Sequence, residues 1–220
     1  MIVLLALSGV EGLLALQNVP TSQYEARTLE GWSVKVNKDL GDTPAAALLG
    51  EKLREIARLV PEGPLAKLRE VPIWLGVDDY IEKRACYHPS AGWLKDKGLN
   101  PDKAKAVEIG CAEEFLKSIK GQPMMVLHEL AHAYHDRVLS FDHAEIRAAW
   151  AKAKEAGIYD NVLRSSGKRE KAYAVSNHHE YFAEASEAWF GQNDFYPFVR
   201  AELCEHDPAL FEILKKVWAP

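Results

Sequence analysis

The residues His128-Glu129-Leu130-Ala131-His132 place two histidines four positions apart, with a glutamate directly after the first. On an α-helix, side chains at i and i+4 project from one face, so both imidazoles can reach one metal ion. Zn²⁺ binds neutral imidazole nitrogens at about 2.0–2.1 Å, takes four ligands, and in catalytic sites leaves the fourth position to water. The pattern therefore predicts a catalytic zinc site, with Glu129 as the general base that takes a proton from zinc-bound water.

The surrounding sequence favours a helix through this motif. Pro123 can occupy the first helical turn, where its missing N–H does no harm. An apolar face then repeats at spacings of three and four, formed by Leu127, Leu130, Ala131, Tyr134 and Val138. The alternative is a chance HExxH pattern on an ordinary amphipathic helix, whose histidines are only packed or solvated.

A third ligand is expected from a second predicted helix over residues 177–190, for which Asn177 is a plausible N-cap. Glu180 and Glu184 lie one turn apart on it, so both can point at the first helix. One can bind the metal while the other accepts a hydrogen bond from a ligand imidazole. Spacing leaves open which does which, and a solvated acidic face is the alternative. The pair His178-His179 supplies rival ligands, expected at the rim of the cleft.

These residues resemble a known group. The HELAH helix, a tyrosine, and then Glu-Tyr-Phe-Ala-Glu-Ala from Glu180 are similar to the catalytic domain of the anthrax lethal factor family. That family includes clostridial Pro-Pro endopeptidases and, more distantly, Mlc titration factor peptidases. The similarity covers about residues 123–190, with a looser match to the C-terminal helices. It implies that three residues bind zinc and that Glu129 is the base; the implied ligands are His128, His132 and Glu180.

The resemblance also implies that Tyr173, seven positions before Glu180, hydrogen-bonds the oxyanion, and it favours Glu184 for the hydrogen bond to a ligand imidazole. A phenol near zinc can donate to the oxygen that becomes negative, although most tyrosines simply pack at the half-buried surface. One departure concerns His135 and Asp136, because family members tend to place Asp where this chain has His135. Three successive turns cannot all close on one tetrahedral ion, so we expect His135 to line the cleft or to support a ligand from behind.

Composition bounds the remaining possibilities. A chain of 220 residues with 48% hydrophobic and 27% charged residues can build one substantial core. A formal net charge of -5 with only short basic clusters argues against nucleic acid as a partner. We expect one catalytic domain over residues 24–220, after an apolar segment at residues 1–23.

The segment 1–23 has no basic residue before its apolar stretches, Ile2–Leu7 and Leu13–Leu16, and neither stretch is long enough to cross a bilayer. It is interpreted either as a degenerate export signal or as an N-terminal element of the fold, and the export of similar proteins slightly favours a secreted protein. Cys86, Cys111 and Cys204 lack the C-x-x-C spacing of a structural zinc site. Cys86 and Cys111 could form a disulfide if the chain is exported.

The hydrophobic pattern predicts an α+β fold, with a small mixed sheet over the HExxH helix and a helical C-terminal half, and the resemblance implies that this fold is zincin-like. Predicted strands cover Trp32–Val36, Val71–Val77 and Lys105–Gly110, with an irregular segment over Asp78–Asp102. Predicted helices cover Pro44–Val60, Ala144–Ala156, Phe195–Cys204 and Pro208–Val217, and a hairpin or twisted loop over Asn161–Ala174 delivers Tyr173.

In zinc peptidases of this general build an edge strand aligns the substrate by backbone pairing. We therefore expect the strand at Lys105–Cys111 and the segment Tyr87–Pro89 to border the cleft. The alternative is that His88 and Trp93 only pin a surface loop.

The sequence thus predicts a zinc-dependent endopeptidase with Zn²⁺ as cofactor, a protein or peptide substrate as partner, and no transmembrane span. The alternative is a non-catalytic metal-binding or peptide-binding module that retains a zincin fold. An intact Glu129 argues against that alternative, because a structural zinc site usually has four protein ligands and needs no base. The preference for cutting at prolines or in kinase-docking segments does not transfer with the resemblance.

Overall fold

The first half of the chain builds a sheet with helices packed against it, and the computed structural model describes residues 18–79 and 85–219. Residues 1–17 of the predicted N-terminal segment lie outside that part. The elements before the HELAH motif are β1 (Tyr24–Leu29), β2 (Trp32–Asn37), α1 (Pro44–Leu59), α2 (Glu62–Arg69), β3 (Ile73–Leu75), β4 (Ala85–Tyr87), α3 (Ala91–Asp96), β5 (Val107–Ile109) and α4 (Ala112–Ser118).

The second half is mainly helical, as predicted. It contains α5 (Met125–Tyr134), a π turn (His135–Leu139), α6 (Ala144–Ala156), the hairpin β6 (Val162–Leu163) and β7 (Arg169–Glu170), a 3₁₀ turn (Tyr173–Val175), α7 (His178–Phe190), α8 (Arg200–His206) and α9 (Pro208–Val217). The helix at residues 144–156 has the predicted limits, while α8 begins at Arg200 rather than Phe195. The hairpin predicted before Tyr173 is present.

The five-stranded sheet is mixed, with the order β1-β2-β3-β5-β4. β2, β3 and β5 run parallel, whereas β1 and β4 are antiparallel to their neighbours. A two-residue turn joins β1 to β2, and it requires positive φ at Glu30 (49°) and Gly31 (93°). A mixed α+β fold with a small sheet and a helical C-terminal half is therefore confirmed.

One strand prediction needs correction. The strand expected at Lys105–Gly110 is β5, and it lies between β3 and β4 rather than at the edge. Within the described residues the terminal strand on this side is β4, which falls inside the segment predicted to be irregular. β5 is buried along its whole length, because both faces of the sheet are covered at this point.

The HELAH helix, α5, passes through the middle of the protein. All ten of its residues are buried, and it packs against α7, β4, α1 and α2. A helix that is apolar on nearly every side is stable only when surrounded, which is what Met125, Val126, Leu127 and Leu130 require. Pro123 lies in the turn before α5 rather than in its first turn, and Val138 is exposed in the π turn.

Two further observations concern the cysteines and the helices. Within the described residues no disulfide joins Cys86 to Cys111, so the conditional pairing is not formed. Over residues 18–79 and 85–219, none of the helices combines the length and apolar character that crossing a bilayer needs.

Candidate metal centre

The two motif histidines point to the same place from successive turns of α5. The Nε2 atoms of His128 and His132 are 3.1 Å apart, and both rings are largely buried. The rings meet edge to face with centroids 4.7 Å apart. Helical spacing thus produces the shared face that the sequence predicts.

Glu180 completes this group from α7. Its Oε2 lies 3.1 Å from His128 Nε2 and 3.2 Å from His132 Nε2. The first turn of α7 is fixed by Asn177, whose side-chain oxygen accepts hydrogen bonds from the backbone N–H groups of His179 and Glu180. The predicted N-cap is therefore confirmed, and it places Glu180 opposite the two imidazoles.

The three donor atoms have the spacing that a tetrahedral cation requires. With bonds of about 2.0–2.1 Å, the ligand atoms of a tetrahedral zinc ion lie about 3.3 Å apart, which is close to the distances of 3.1 to 3.2 Å in this triangle. His128 Nδ1 donates to Glu187 Oε1 at 2.7 Å, so in the neutral ring Nε2 carries a lone pair facing the Glu180 carboxylate. Lone pairs this close repel each other unless a proton or a cation lies between them, so the donor set fits a metal ion.

The same crowding shifts the pKa values of Glu180 and His128. Burial works against the charged form of Glu180, but its hydrogen bonds with His128 and His132 prevail and hold its pKa far below the usual range. Burial opposes the charged form of His128 as well, but hydrogen bonds to Glu180 and Glu187 raise its pKa well above the usual value. Without a cation these donor atoms therefore hold a proton tightly between Glu180 and His128, and a bound metal ion would take the place of that proton.

The carboxylate that holds the His128 ring differs from the one predicted. Glu187, and not Glu184, accepts the hydrogen bond from His128 Nδ1, and it also accepts one from Gln122 Nε2 at 2.9 Å. The Glu184 carboxylate instead accepts from Asn193 Nδ2 at 3.3 Å. Seven residues make nearly two whole helical turns, so Glu187 lies almost in line with Glu180. That spacing makes Glu187 a candidate, but the choice between it and Glu184 depends on how α7 is rotated against α5.

Glu184 and Glu187 form a buried carboxyl pair behind the group of His128, His132 and Glu180. Burial raises the pKa of both. Because Glu187 receives the imidazole N–H, the charge is best held there and the proton by Glu184.

The motif glutamate lies beside the donor triangle and is tied to the sheet. The Oε2 atom of Glu129 accepts a hydrogen bond of 2.8 Å from the backbone N–H of Tyr87, in β4. Glu129 lines a cleft of about 920 Å³ together with His128, His132 and Glu180. The tie to Tyr87 was not predicted, because no local pattern links an edge strand to a helix more than 40 residues later.

Tyr173 borders the same cleft from the 3₁₀ turn before α7. It is 51% exposed. Of the segment expected to border the cleft, Tyr87 and Pro89 do so, whereas His88 is buried and pairs with Glu108 at 2.6 Å. His88 also stacks with Trp93, whose side chain is exposed.

The role predicted for His135 is not supported by its position. Its ring is 0% exposed and packs against Phe141 and Phe182, and neither ring nitrogen has a hydrogen-bond partner among the described residues. It neither lines the cleft nor bonds to a ligand imidazole, because the π turn directs it into an aromatic pocket behind the site. Burial, together with the nearby His179 and His178, lowers its pKa to about 3.

The rival ligands also lie apart from the donor triangle. His179 lines the cleft and stacks on Phe141 with ring centroids 4.0 Å apart. His178 Nε2 lies 2.7 Å from the backbone oxygen of Phe141 and so donates to it. Among the described residues, the convergent donor groups are His128/His132/Glu180 and, behind it, His128/Glu184/Glu187.

Comparisons with known proteins were made for the whole chain. No protein-family model and no curated protein matches it. Among solved structures, the chain is similar to a Pro-Pro endopeptidase (PPEP-2) from Paenibacillus alvei, with 20% identity and a TM-score of 0.46. The similarity covers 84% of this chain and 95% of that one.

Proposed function

We propose that this protein is a zinc-dependent endopeptidase with a zincin-like fold. The observation that carries the proposal is the convergence of His128 Nε2, His132 Nε2 and Glu180 Oε2 to within 3.2 Å, with the Glu129 carboxylate in the same cleft. Three protein ligands and one free position are typical of catalytic zinc rather than structural zinc.

In this proposal His128, His132 and Glu180 hold the ion, and Glu187 fixes the tautomer and orientation of the His128 ring. A bound zinc ion supplies Lewis acidity, which lowers the pKa of water to about 7 and polarises a peptide carbonyl. Glu129 is anchored by one oxygen to the Tyr87 N–H, which leaves its other oxygen to accept the proton of the attacking water. The same carboxyl group then delivers that proton to the leaving amine.

Two other groups complete the proposed site. Tyr173 donates a hydrogen bond to the carbonyl oxygen as negative charge develops on it. The outer edge of β4 aligns the substrate, because Ala85, Cys86 and Tyr87 all line the cleft and an extended peptide can add a strand there. The sequence specificity of cleavage depends on the cleft walls and is not part of the proposal.

The test is the substitution Glu129→Gln, which keeps the size and hydrogen-bonding capacity of the side chain but removes the base. We expect about one zinc ion per chain in both proteins and a loss of peptide-library hydrolysis of about 10²–10⁴-fold in the variant. Glu155→Gln makes the same chemical change at an exposed position on α6 and serves as the control. Unchanged turnover in Glu129→Gln, or the absence of bound zinc in the wild type, would contradict the proposal.

A further inference from the structure

The residue after His135 joins the metal helix to the sheet. Asp136 lies in the π turn that follows α5, and its side chain is 15% exposed. Its Oδ2 accepts a hydrogen bond of 2.6 Å from the Tyr87 hydroxyl, and the same oxygen pairs with the ammonium group of Lys105. Asp136 thus contacts side chains from β4 and from the residue that leads into β5.

Tyr87 is therefore attached twice, to α5 and to the π turn that follows it. Its backbone N–H donates to Glu129 Oε2, and its hydroxyl donates to Asp136 Oδ2. The two acceptors are seven positions apart, Glu129 in α5 and Asp136 in the π turn that continues it, so the attachments lie at separate heights along the same run of helix. Two separated attachments fix both the position and the direction of a strand, which a single hydrogen bond does not.

β4 needs such support because it is short. It has three residues and pairs with β5 alone within the described part of the sheet. Lys105, which ion-pairs with Asp136, has a φ of 58°, a left-handed conformation that costs a non-glycine residue free energy. Burial, and then the hydrogen bond to Asp136, raise the pKa of the Tyr87 phenol, so the hydroxyl keeps its proton and stays a donor.

We propose that Asp136 is a positioning residue for the reaction, which acts through the Tyr87 hydroxyl to keep the Tyr87 N–H on Glu129. This inference rests on the proposed function, because it gives Asp136 a part in orienting the base. Asp136 touches neither substrate nor metal. Asp136 affects the geometry of the Glu129 carboxylate. Its loss should therefore lower the turnover rate and leave metal binding unchanged.

The test compares Tyr87→Phe, Asp136→Ala and Asp136→Asn. Tyr87→Phe removes the hydroxyl but keeps the backbone N–H, and misplacement of a reacting group by about 1 Å costs up to about 100-fold in rate. We expect Tyr87→Phe and Asp136→Ala each to lower kcat by about 10- to 100-fold, with unchanged zinc content and a smaller change in KM. Asp136→Asn keeps an acceptor for the hydroxyl and should recover most of the lost kcat.

A double variant separates positioning from general destabilisation. Tyr87→Phe combined with Asp136→Ala should be no slower than the slower single variant, because both remove the same link. Arg137→Gln is the matched control: this neighbouring residue in the π turn bonds to the backbone oxygen of Glu70, at 3.1 Å, and not to the sheet edge. Its kcat should match that of the wild type.

Three results would overturn the inference: a kcat of Tyr87→Phe equal to that of Arg137→Gln, multiplicative losses in the double variant, or no recovery in Asp136→Asn. If Asp136→Ala does not fold, Tyr87→Phe and Asp136→Asn decide the matter alone. Failure of the proposed function itself would appear separately, as hydrolysis that does not depend on Glu129.

Discussion

His128 uses both of its ring nitrogens, and each faces a different carboxylate. Nε2 faces Glu180 in the donor triangle, while Nδ1 donates to Glu187 behind it. A buried carboxylate on Nδ1 fixes which nitrogen carries the proton and makes the other a better ligand. The affinity for a metal should therefore depend on Glu187 even though that side chain does not point at the ion.

Removing the charge of Glu187 tests this arrangement. We expect Glu187→Gln to weaken zinc affinity by about 10- to 100-fold, because the imidazole loses an anionic hydrogen-bond acceptor. Competition with a chromogenic chelator measures the affinity.

Glu184→Gln is the informative companion to that experiment. Because Glu184 is the member of the pair that keeps a proton, the amide replaces a neutral group and should change the affinity much less. If instead Glu184→Gln is the more damaging substitution, the assignment drawn from sequence is correct and the one drawn from the hydrogen bonds is not.

The buried ring of His135 should make the folded protein less stable in acid. Its folded pKa of about 3 lies below an unfolded value of about 6.5. As the pH falls below about 6.5, the unfolded chain takes up a proton that the folded protein excludes, so stability is lost by about 1.4 kcal/mol per pH unit. His135→Leu removes this loss.

Between pH 7.5 and pH 5 the wild type should lose about 2 kcal/mol more of its unfolding free energy than His135→Leu. Urea unfolding at both pH values measures the difference, and all other titrating groups cancel in the comparison. Parallel losses in the two proteins would show that His135 is protonated in the folded state.

At the scale of elements, a buried ionic network holds the sheet together on the face away from α5. Lys103 is 3% exposed, and its ammonium group lies 3.3 Å from Asp79, 3.1 Å from the Tyr24 hydroxyl and against Glu108. Burial raises the pKa of Asp79. For Glu108, burial is outweighed by the His88 hydrogen bond and the Lys103 charge, which lower its pKa. The network therefore joins β1, through Tyr24, and β5, through Glu108, to Asp79 in the loop after β3.

Breaking this network should be costly. Lys103→Met leaves two buried carboxyl groups without their cation, and we expect a loss of about 3–5 kcal/mol in unfolding free energy at pH 7.5. The loss should shrink as the pH falls toward 5, because protonation of Asp79 relieves the unpaired charge.

The control is Lys117→Met, which removes an exposed lysine paired with Glu113 and Glu114. Surface pairs of this kind contribute about 0–1 kcal/mol. Equal losses in the two variants would indicate that the buried network contributes no more than a surface pair.

Sequence patterns predicted long elements better than short ones, for a physical reason. A helix such as α6 repeats its apolar face over several turns, so its limits could be predicted. β4 has only three residues and shows no alternation long enough to detect, so it was interpreted as irregular. β5 is buried on both faces, and its apolar run could not reveal that another strand covers its edge.

For the molecule as a whole, the motif spacing predicted that two histidines share one face and the family resemblance singled out Glu180, but neither predicted which other atoms bond. His128, His132 and Glu180 converge because helical periodicity places them on facing sides of α5 and α7. The pairings of Glu187 with His128 and of Tyr87 with Glu129 depend on how the two helices and the sheet edge are rotated against one another. That rotation is set by packing over the whole core, and a local pattern carries no record of it.

The donor triangle spans two helices that share one buried cluster of side chains. Its geometry therefore lasts only as long as α5 and α7 stay packed together. Any cation held there is released when the interior melts, so heat unfolding and ion loss occur in one cooperative step, and a tightly bound ion will delay both.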